Sequence, residues 1–281
     1  MIKFIATDMD GTLLDDNKTV NKSIFSVLDY INKKDIMFCA ASGRQYSSLK
    51  KIFKDYSNDI MFIAENGAYV VYKNKELYSN YIDRNLLEDI INKCNNFCNM
   101  IIMLCCKDFT YTIDKISYEA LSSKKFDYDI KLVKNLLDVK DDVLKVSISA
   151  VDISFDNITH SNSENPNIAL KNIEKFLIEN FDDKTEITVS GFNCIDIVNK
   201  NVSKGQAIDN IFSKMNININ EAVVFGDNFN DIEMFKKAYY SFAMKNSVDE
   251  IKKRANFITE YTNNECGVVK EIIKLSKKGV L

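Results

Sequence analysis

The chain has 281 residues, of which 46% are hydrophobic and 27% charged, a balance that suits about two soluble globular domains rather than a disordered or fibrous chain. Its net charge of −3 offers no argument for a nucleic acid or a membrane surface as partner. No stretch approaches the roughly 18 uninterrupted apolar residues of a membrane-spanning helix. The N-terminal apolar run, Ile2 to Ala6, is interrupted by Lys3 and reaches Asp8 too soon for a signal peptide. The seven cysteines lack metal-ligand spacing and read as buried free thiols of a reducing cytosol, so a cytoplasmic location is expected. The single histidine, His160, cannot by itself build a zinc cluster.

In chain order, Ile2 to Ala6 reads as a buried strand. Residues 21–33 follow as an amphipathic helix, with Ile24, Val27, Leu28 and Ile31 on one face. Ile36 to Ala40 is a second strand, 45–55 a helix, and Ile60 to Ala64 a third strand. This alternation predicts βαβ units and a parallel sheet covered on both faces. From about residue 84 the pattern changes. A helix over 84–98 precedes two strands around a Lys107-Asp108 turn, then more helix and a strand at 143–150. Pro166 is placed to open a helix over 167–180. Strands at 185–190 and 194–198 flank Ser190-Gly191-Phe192-Asn193. Paired strands joined by short turns predict an antiparallel sheet with helices on one side.

After Lys204 the first pattern returns, with a helix over 204–214, a strand from Ala222 to Phe225, a helix over 230–237 and short strands at 240–244 and 256–259. The reading is one α/β domain, a doubly wound parallel sheet formed by 1–82 and 198–281. It is split by an α+β domain at 83–197, inserted after the third core strand.

Four segments carry chemistry, and each falls just after a predicted strand or at a helix start. Asp8-Met9-Asp10-Gly11-Thr12 follows the first strand. In an open parallel sheet, ligands bind beyond the carboxyl ends of the strands. Asp8 and Asp10 are two apart and lean to the same side there, and Gly11 permits a sharp turn close to a phosphate. A carboxylate can attack phosphorus while its neighbour shuttles the proton. The plainer reading is a solvated acidic turn.

Ser42-Gly43-Arg44 presents a hydroxyl and backbone N–H groups at a helix start, an anion site or simply an N-cap. Lys204, in the first turn of its helix, opposes the helix dipole unless an anion sits nearby. It also reads as an ordinary surface lysine. Gly226-Asp227-Asn228-Phe229-Asn230-Asp231 adds Asp227 at a strand end and Asp231 four residues on. With Asp8 and Asp10 these make a hard-oxygen cluster that suits Mg²⁺ rather than zinc, or else a capped turn. Asn230 can donate to a phosphate oxygen or hold an Asp in place. The four plain readings fit poorly together. A nucleophile, a proton shuttle, a cation site and a phosphate clamp on one sheet edge form a coherent set.

These residues carry a resemblance. Asp8-Met9-Asp10-Gly11-Thr12 with Leu13-Leu14 resembles the first motif of the haloacid dehalogenase superfamily. Ser42-Gly43-Arg44, Lys204, and Gly226-Asp227 through Asn230-Asp231 resemble its second, third and fourth motifs, in order. Asn66-Gly67-Ala68 resembles the Cof-type branch, and the likeness spans nearly the whole chain. The resemblance implies a Rossmann-like core with a mobile cap over about 83–197, and a Mg²⁺-dependent phosphatase acting on small phosphorylated metabolites such as sugar phosphates or phosphorylated cofactors. It also implies roles. Asp8 would be nucleophile and metal ligand, and Asp10 general acid and base, reaching Mg²⁺ through its backbone carbonyl. Ser42, Gly43, Lys204 and Asn230 would hold the phosphoryl group. Asp227 would be a metal ligand, Asp231 would support the metal site from behind, and Arg44 would point to the leaving group. A loop at 190–193 is a candidate selector of substrate.

A phosphomutase would share every one of these core residues. A non-catalytic phospholigand-binding module would be marked by loss of Asp8 or Asp10, and both are present. A P-type cation pump is excluded because it has lysine where this chain has Asp10 and needs a membrane domain.

Overall fold

A computed structural model of the chain describes residues 1–95, 100–122, 128–150, 166–190 and 194–281. They form two compact units. The first comprises Met1–Arg44, Leu49–Tyr78 and Ser203–Leu281; the second comprises Gln45–Ser48 and Ser79–Val202.

The first unit is built on β1 (Phe4–Asp8), α1 (Ser23–Asn32), β2 (Met37–Ala41), α2 (Tyr46–Phe53), β3 (Ile60–Ala64), β4 (Tyr69–Tyr72) and β5 (Lys75–Ser79). β1 and β3 are buried throughout, which is why they read as continuous apolar runs rather than alternating ones. β4 and β5 form a hairpin that the sequence analysis did not anticipate. Lys73 and Asn74 both take left-handed backbone at its turn, φ 51° and 57°. That geometry is usually announced by Asn-Gly, and here the glycine is absent.

The second unit contains α3 (Arg84–Asn95), β6 (Met100–Cys106), β7 (Thr110–Thr112), α4 (Lys115–Leu121), β8 (Ile130–Leu132), β9 (Val143–Ala150), α5 (Pro166–Phe181), β10 (Thr185–Ser190) and β11 (Cys194–Asn199). Its strands lie in the order β10-β11-β9-β6-β7-β8. The pairs are antiparallel except β7 with β8. Alternate residues of the sheet, among them Ile102, Leu104, Val146, Ile148, Ile195 and Ile197, share one core with Leu87, Ile90 and Ile91 of α3 and Ile173, Leu177 and Phe181 of α5. The period-2 alternation puts Lys145, Ser147 and Ser149 on the other face of β9. There Asp196 of β11 accepts from the Ser147 hydroxyl at 2.6 Å and pairs with Lys145 at 3.3 Å. The expected antiparallel pairing is present apart from β7 with β8, but the helices do not all lie on one side: Leu121 of α4 packs with Met103 and Cys194, on the face opposite α3 and α5. The 191–193 turn and His160 lie outside the described residues.

The chain then resumes the first unit with α6 (Lys204–Met215), β12 (Ala222–Gly226), α7 (Ile232–Phe235), β13 (Tyr240–Ala243), α8 (Asp249–Lys252), β14 (Phe257–Ile258) and α9 (Gly267–Lys277). The sheet order is β14-β13-β12-β1-β2-β3-β4-β5. From β14 to β3 every neighbouring pair is parallel. This is the doubly wound α/β core that the alternation predicted. On one face Phe4, Ala6, Cys39, Met61 and Val224 pack with Ile208, Ile211 and Phe212 of α6 and Met234 and Phe235 of α7. On the other, Phe53 of α2 meets the rings of Phe38 and Phe62 edge-on. Because β1 lies between β12 and β2, the carboxyl ends of β1, β2, β3 and β12 are adjacent. The four motif segments are the turns at those ends and the start of α6. Among the described residues no helix is long and apolar enough to cross a membrane.

The start of α6 crosses α7 at very close range. A Cβ added at Gly205 would lie 2.5 Å from the backbone carbonyl carbon of Glu233. Backbone cannot yield as a side chain can, so Gly205→Ala is expected to cost about 1–3 kcal/mol of stability. Urea unfolding of the two proteins measures the difference, and an unchanged midpoint would contradict the close crossing.

Candidate active site

The centre of the site is one buried ammonium between two buried carboxylates. Lys204 Nζ donates to Asp8 Oδ1 at 2.5 Å and to Asp231 Oδ1 at 2.8 Å. Lys204 and Asp231 are closed to solvent and Asp8 nearly so. The local sequence explains how a lysine gets there. Ser203 caps α6, its hydroxyl accepting from the Gln206 N–H at 3.1 Å. The residue after the cap is then in the first turn, where a cation is disfavoured unless carboxylates face it. Burial pulls the Lys204 ammonium down, but the Asp231 and Asp8 carboxylates outweigh that and hold it above its ordinary value, so it stays charged.

Asp8 ends β1. Burial is the largest influence on it and raises its carboxyl well above the usual range. The negative charges of Asp231 and Asp227 raise it further, and Lys204 opposes them. Asp227 follows β12. Burial and then Asp231 push it up to about 6, against the Thr12 hydrogen bond and the Lys204 charge. Thr12 donates to Asp227 Oδ1 at 2.6 Å. Gly11, at φ 83°, passes so near Asp227 that any Cβ there would collide with its carboxylate.

Asp231 is turned inward. Its Oδ2 accepts the backbone N–H groups of Asp227 at 2.9 Å and Asn228 at 3.1 Å while Oδ1 takes Lys204. Both oxygens are therefore engaged, and Asp231 acts on the site by orienting the Asp227 turn and the lysine. Asp8, Asp227 and Asp231 each offer an oxygen within 4.8 Å of the others. Two buried carboxylates and a half-buried one around one ammonium leave an excess of negative charge, a donor set suited to a hard divalent cation.

Asp10 belongs to a second group. Its Oδ2 accepts from Arg44 Nε at 2.6 Å, and its Oδ1 accepts from Arg44 Nη2 at 2.7 Å and lies 3.0 Å from Lys18 Nζ. Burial would raise this carboxyl, but the Arg44 hydrogen bonds and charge, helped by Lys18, hold it below the usual carboxylate range. The sequence reading gave Arg44 a contact with the leaving group; here its guanidinium is paired with Asp10 and almost wholly buried. Ser42 Oγ accepts from the Arg44 N–H at 3.1 Å. A third group joins them at the end of β3. The Asn66 N–H donates to the Ser42 carbonyl at 3.0 Å, and Asn230 Nδ2 donates to Asn66 Oδ1 at 3.3 Å. Gly43 passes so close that a Cβ would sit 2.9 Å from Asn66 Oδ1.

The structure thus links Asp8, Lys204, Asp231 and Asp227 directly, Asp10 to Arg44 and Arg44 to Ser42, and Asn230 to the Gly43 turn through Asn66. Sequence reasoning assigned no role to Thr12 or Lys18. Thr12 stands inside the first motif and was legible there. Nothing local marks Lys18.

Residues 5–272 match the family model of the haloacid dehalogenase-like hydrolases. The chain is 30% identical over 279 residues to the 5-amino-6-(5-phospho-D-ribitylamino)uracil phosphatase YbjI of Escherichia coli strain K12, covering 98% of this chain and 97% of that one. It is 24% identical over 278 residues to the phosphatase of the same description, YcsE, of Bacillus subtilis strain 168, covering 96% and 94%. The crystal structure of SMU.1108c from Streptococcus mutans UA159 superposes with a TM-score of 0.84 at 28% identity, over 99% of this chain and all of the other. A parallel sheet carrying the four motif segments at one edge, and a family match over nearly its full length, make this chain a member of the haloacid dehalogenase-like hydrolases, of the Cof-type phosphatase branch.

Proposed function

We propose that the protein is a Mg²⁺-dependent phosphatase that hydrolyses a small phosphate monoester through an aspartyl phosphate on Asp8, and that its substrate is a phosphorylated ribitylamino-pyrimidine of the kind named for two of its relatives. The observation that carries the mechanism is the Lys204 ammonium 2.5 Å from Asp8 at the end of β1. It lowers the cost of bringing a phosphate dianion to a carboxylate. Asp8 attacks phosphorus, and the ester oxygen leaves with a proton from Asp10, a role that requires the Asp10 carboxyl to part from the Arg44 and Lys18 cations that hold it ionised here. Asp10 then takes a proton from the water that cleaves the acyl phosphate. The Ser42 hydroxyl, the Gly43 N–H and the Asn230 amide are proposed to bind the non-bridging phosphoryl oxygens, with Lys204 on the same group.

Asp8 and Asp227 are the proposed side-chain ligands of Mg²⁺, with the Asp10 carbonyl as a third, and Asp231 orients them. When bound, the ion supplies positive charge against the reacting anions. The fit rests on the excess of buried carboxylate over ammonium and on the raised Asp8 and Asp227.

Phosphate release from 5-amino-6-(5-phospho-D-ribitylamino)uracil and from a panel of sugar phosphates, with Mg²⁺ and with chelator, tests the reading. Activity is expected to need the metal, to be highest on the pyrimidine and to fall by roughly a thousandfold or more in Asp8→Asn. A turnover that survives in Asp8→Asn would sink the aspartyl phosphate. Preference for an unrelated ester would sink the substrate alone.

A second expectation follows from Asp227. Its folded-state pKa, raised to about 6, lies above the value of about 4 for an unfolded aspartate. The folded chain therefore holds a proton that the unfolded chain releases. The stability this gives is present below about pH 4 and is lost as pH rises through about 6. Mg²⁺ competes for the same carboxylate. The rise in Tm on adding Mg²⁺ is accordingly expected to be small near about pH 5 and larger near about pH 7, as read by calorimetry. An equal rise at both would contradict the assignment.

A further inference from the structure

Three successive residues after β3 have positive φ: Glu65 at 48°, Asn66 at 56° and Gly67 at 107°. Glycine adopts this left-handed backbone freely and asparagine tolerates it, but glutamate rarely does. Such a run persists only where its surroundings over-determine it, and here they do. The Ser42 N–H donates to the Ile63 carbonyl at 2.8 Å, the Asn66 N–H to the Ser42 carbonyl at 3.0 Å and the Glu65 N–H to the Arg44 carbonyl at 3.1 Å. On its other flank, Gly67 passes so near α6 that an added Cβ would collide with the carbonyl of Ser203, the residue before Lys204. The turn is wedged between the Ser42-Gly43-Arg44 segment and the start of α6.

The Asn66 side chain, almost wholly buried, extends this contact to another segment. Its Oδ1 accepts from Asn230 Nδ2 at 3.3 Å. An amide nitrogen carries two hydrogens, and holding one on Asn66 sets the direction of the other. The same carboxamide fills the space that a side chain at Gly43 would need, its Oδ1 lying 2.9 Å from where a Cβ would stand. Gly43 and Asn230 belong to distant parts of the chain, and the Asn66 carboxamide is common to both.

We propose that Asn66 is a positioning residue of the phosphoryl clamp. It fixes the Asn230 amide and the Gly43 turn at the spacing that lets both meet one phosphoryl group, and it acts on phosphate through them rather than by contact. This deepens the phosphatase reading and rests on it.

The test is a double-mutant cycle with p-nitrophenyl phosphate as substrate and inorganic phosphate as competing ligand, Mg²⁺ being present throughout. Asn66→Gly suits the left-handed backbone and keeps the backbone bonds of the turn, but removes the carboxamide. Its inhibition constant for inorganic phosphate is expected to rise about fivefold or more, and its kcat/KM to fall about tenfold or more. The inhibition constant does not depend on how much of the sample is folded, so a merely structural defect would lower kcat and leave that constant unchanged. Asn230→Ala removes one of the groups through which Asn66 acts. The two losses of phosphate binding are therefore expected to overlap, the double variant losing at least about twofold less than their product. An inhibition constant in Asn66→Gly within about twofold of the unaltered enzyme overturns the assignment, as does a double variant that loses the full product. Activity in Asp8→Asn would instead overturn the phosphatase mechanism, so the two failures are distinguishable.

Discussion

Lys204 is the constraint around which the first unit is arranged. An ammonium with no solvent can persist only if carboxylates meet it, and the two that do come from β1 and from the turn after β12. Their side chains can converge only if β1 and β12 are neighbours running the same way, which the sheet provides. The helix that carries the lysine must also begin at that edge. Gly205 serves this by letting α6 approach the α7 backbone. The parallel sheet, the close helix crossing and the ion cluster therefore require one another. Replacing the cluster by apolar side chains would suit stability at least as well, so its presence is explained by chemistry rather than by folding.

The two electrostatic groups differ in balance. Around Asp8 the negative charge exceeds the positive, and burial raises both Asp8 and Asp227. Around Asp10 the reverse holds, with Arg44 and Lys18 facing one carboxylate. The first group is short of cations and the second well supplied, though the two aspartates stand two residues apart on one strand end. The two carboxylates therefore meet opposite electrostatic surroundings within one turn of chain.

Much of this was legible in the chain. β3 and β9 were read with their observed limits, because a buried parallel strand and an eight-residue strand before a polar stretch leave clear edges. Lys204 was legible through its conflict with the helix dipole, and the ion pairs resolve that conflict. The hairpin of β4 and β5 was not legible. β5 is an edge strand with polar and apolar residues mixed, and its turn uses Lys73 where a glycine would have signalled it. The pairing of Arg44 with Asp10 was also hidden. A long side chain reaches several places from one backbone position, and only the fold decides among them. The same holds for Lys18, whose partner is settled by a turn tied to Asn263 and Asn264 near the far end of the chain.

The strand order has a consequence for how the molecule is made. β1 is synthesised first, yet one of its two hydrogen-bonded neighbours is β12, beginning at Ala222. The second unit, nearly continuous from Ser79 to Val202, emerges from the ribosome in between. It can close its own sheet while the first unit still lacks the helix bearing Lys204 and the strand that pairs with β1. A nascent or truncated chain is thus without a complete site until translation has passed Asp231.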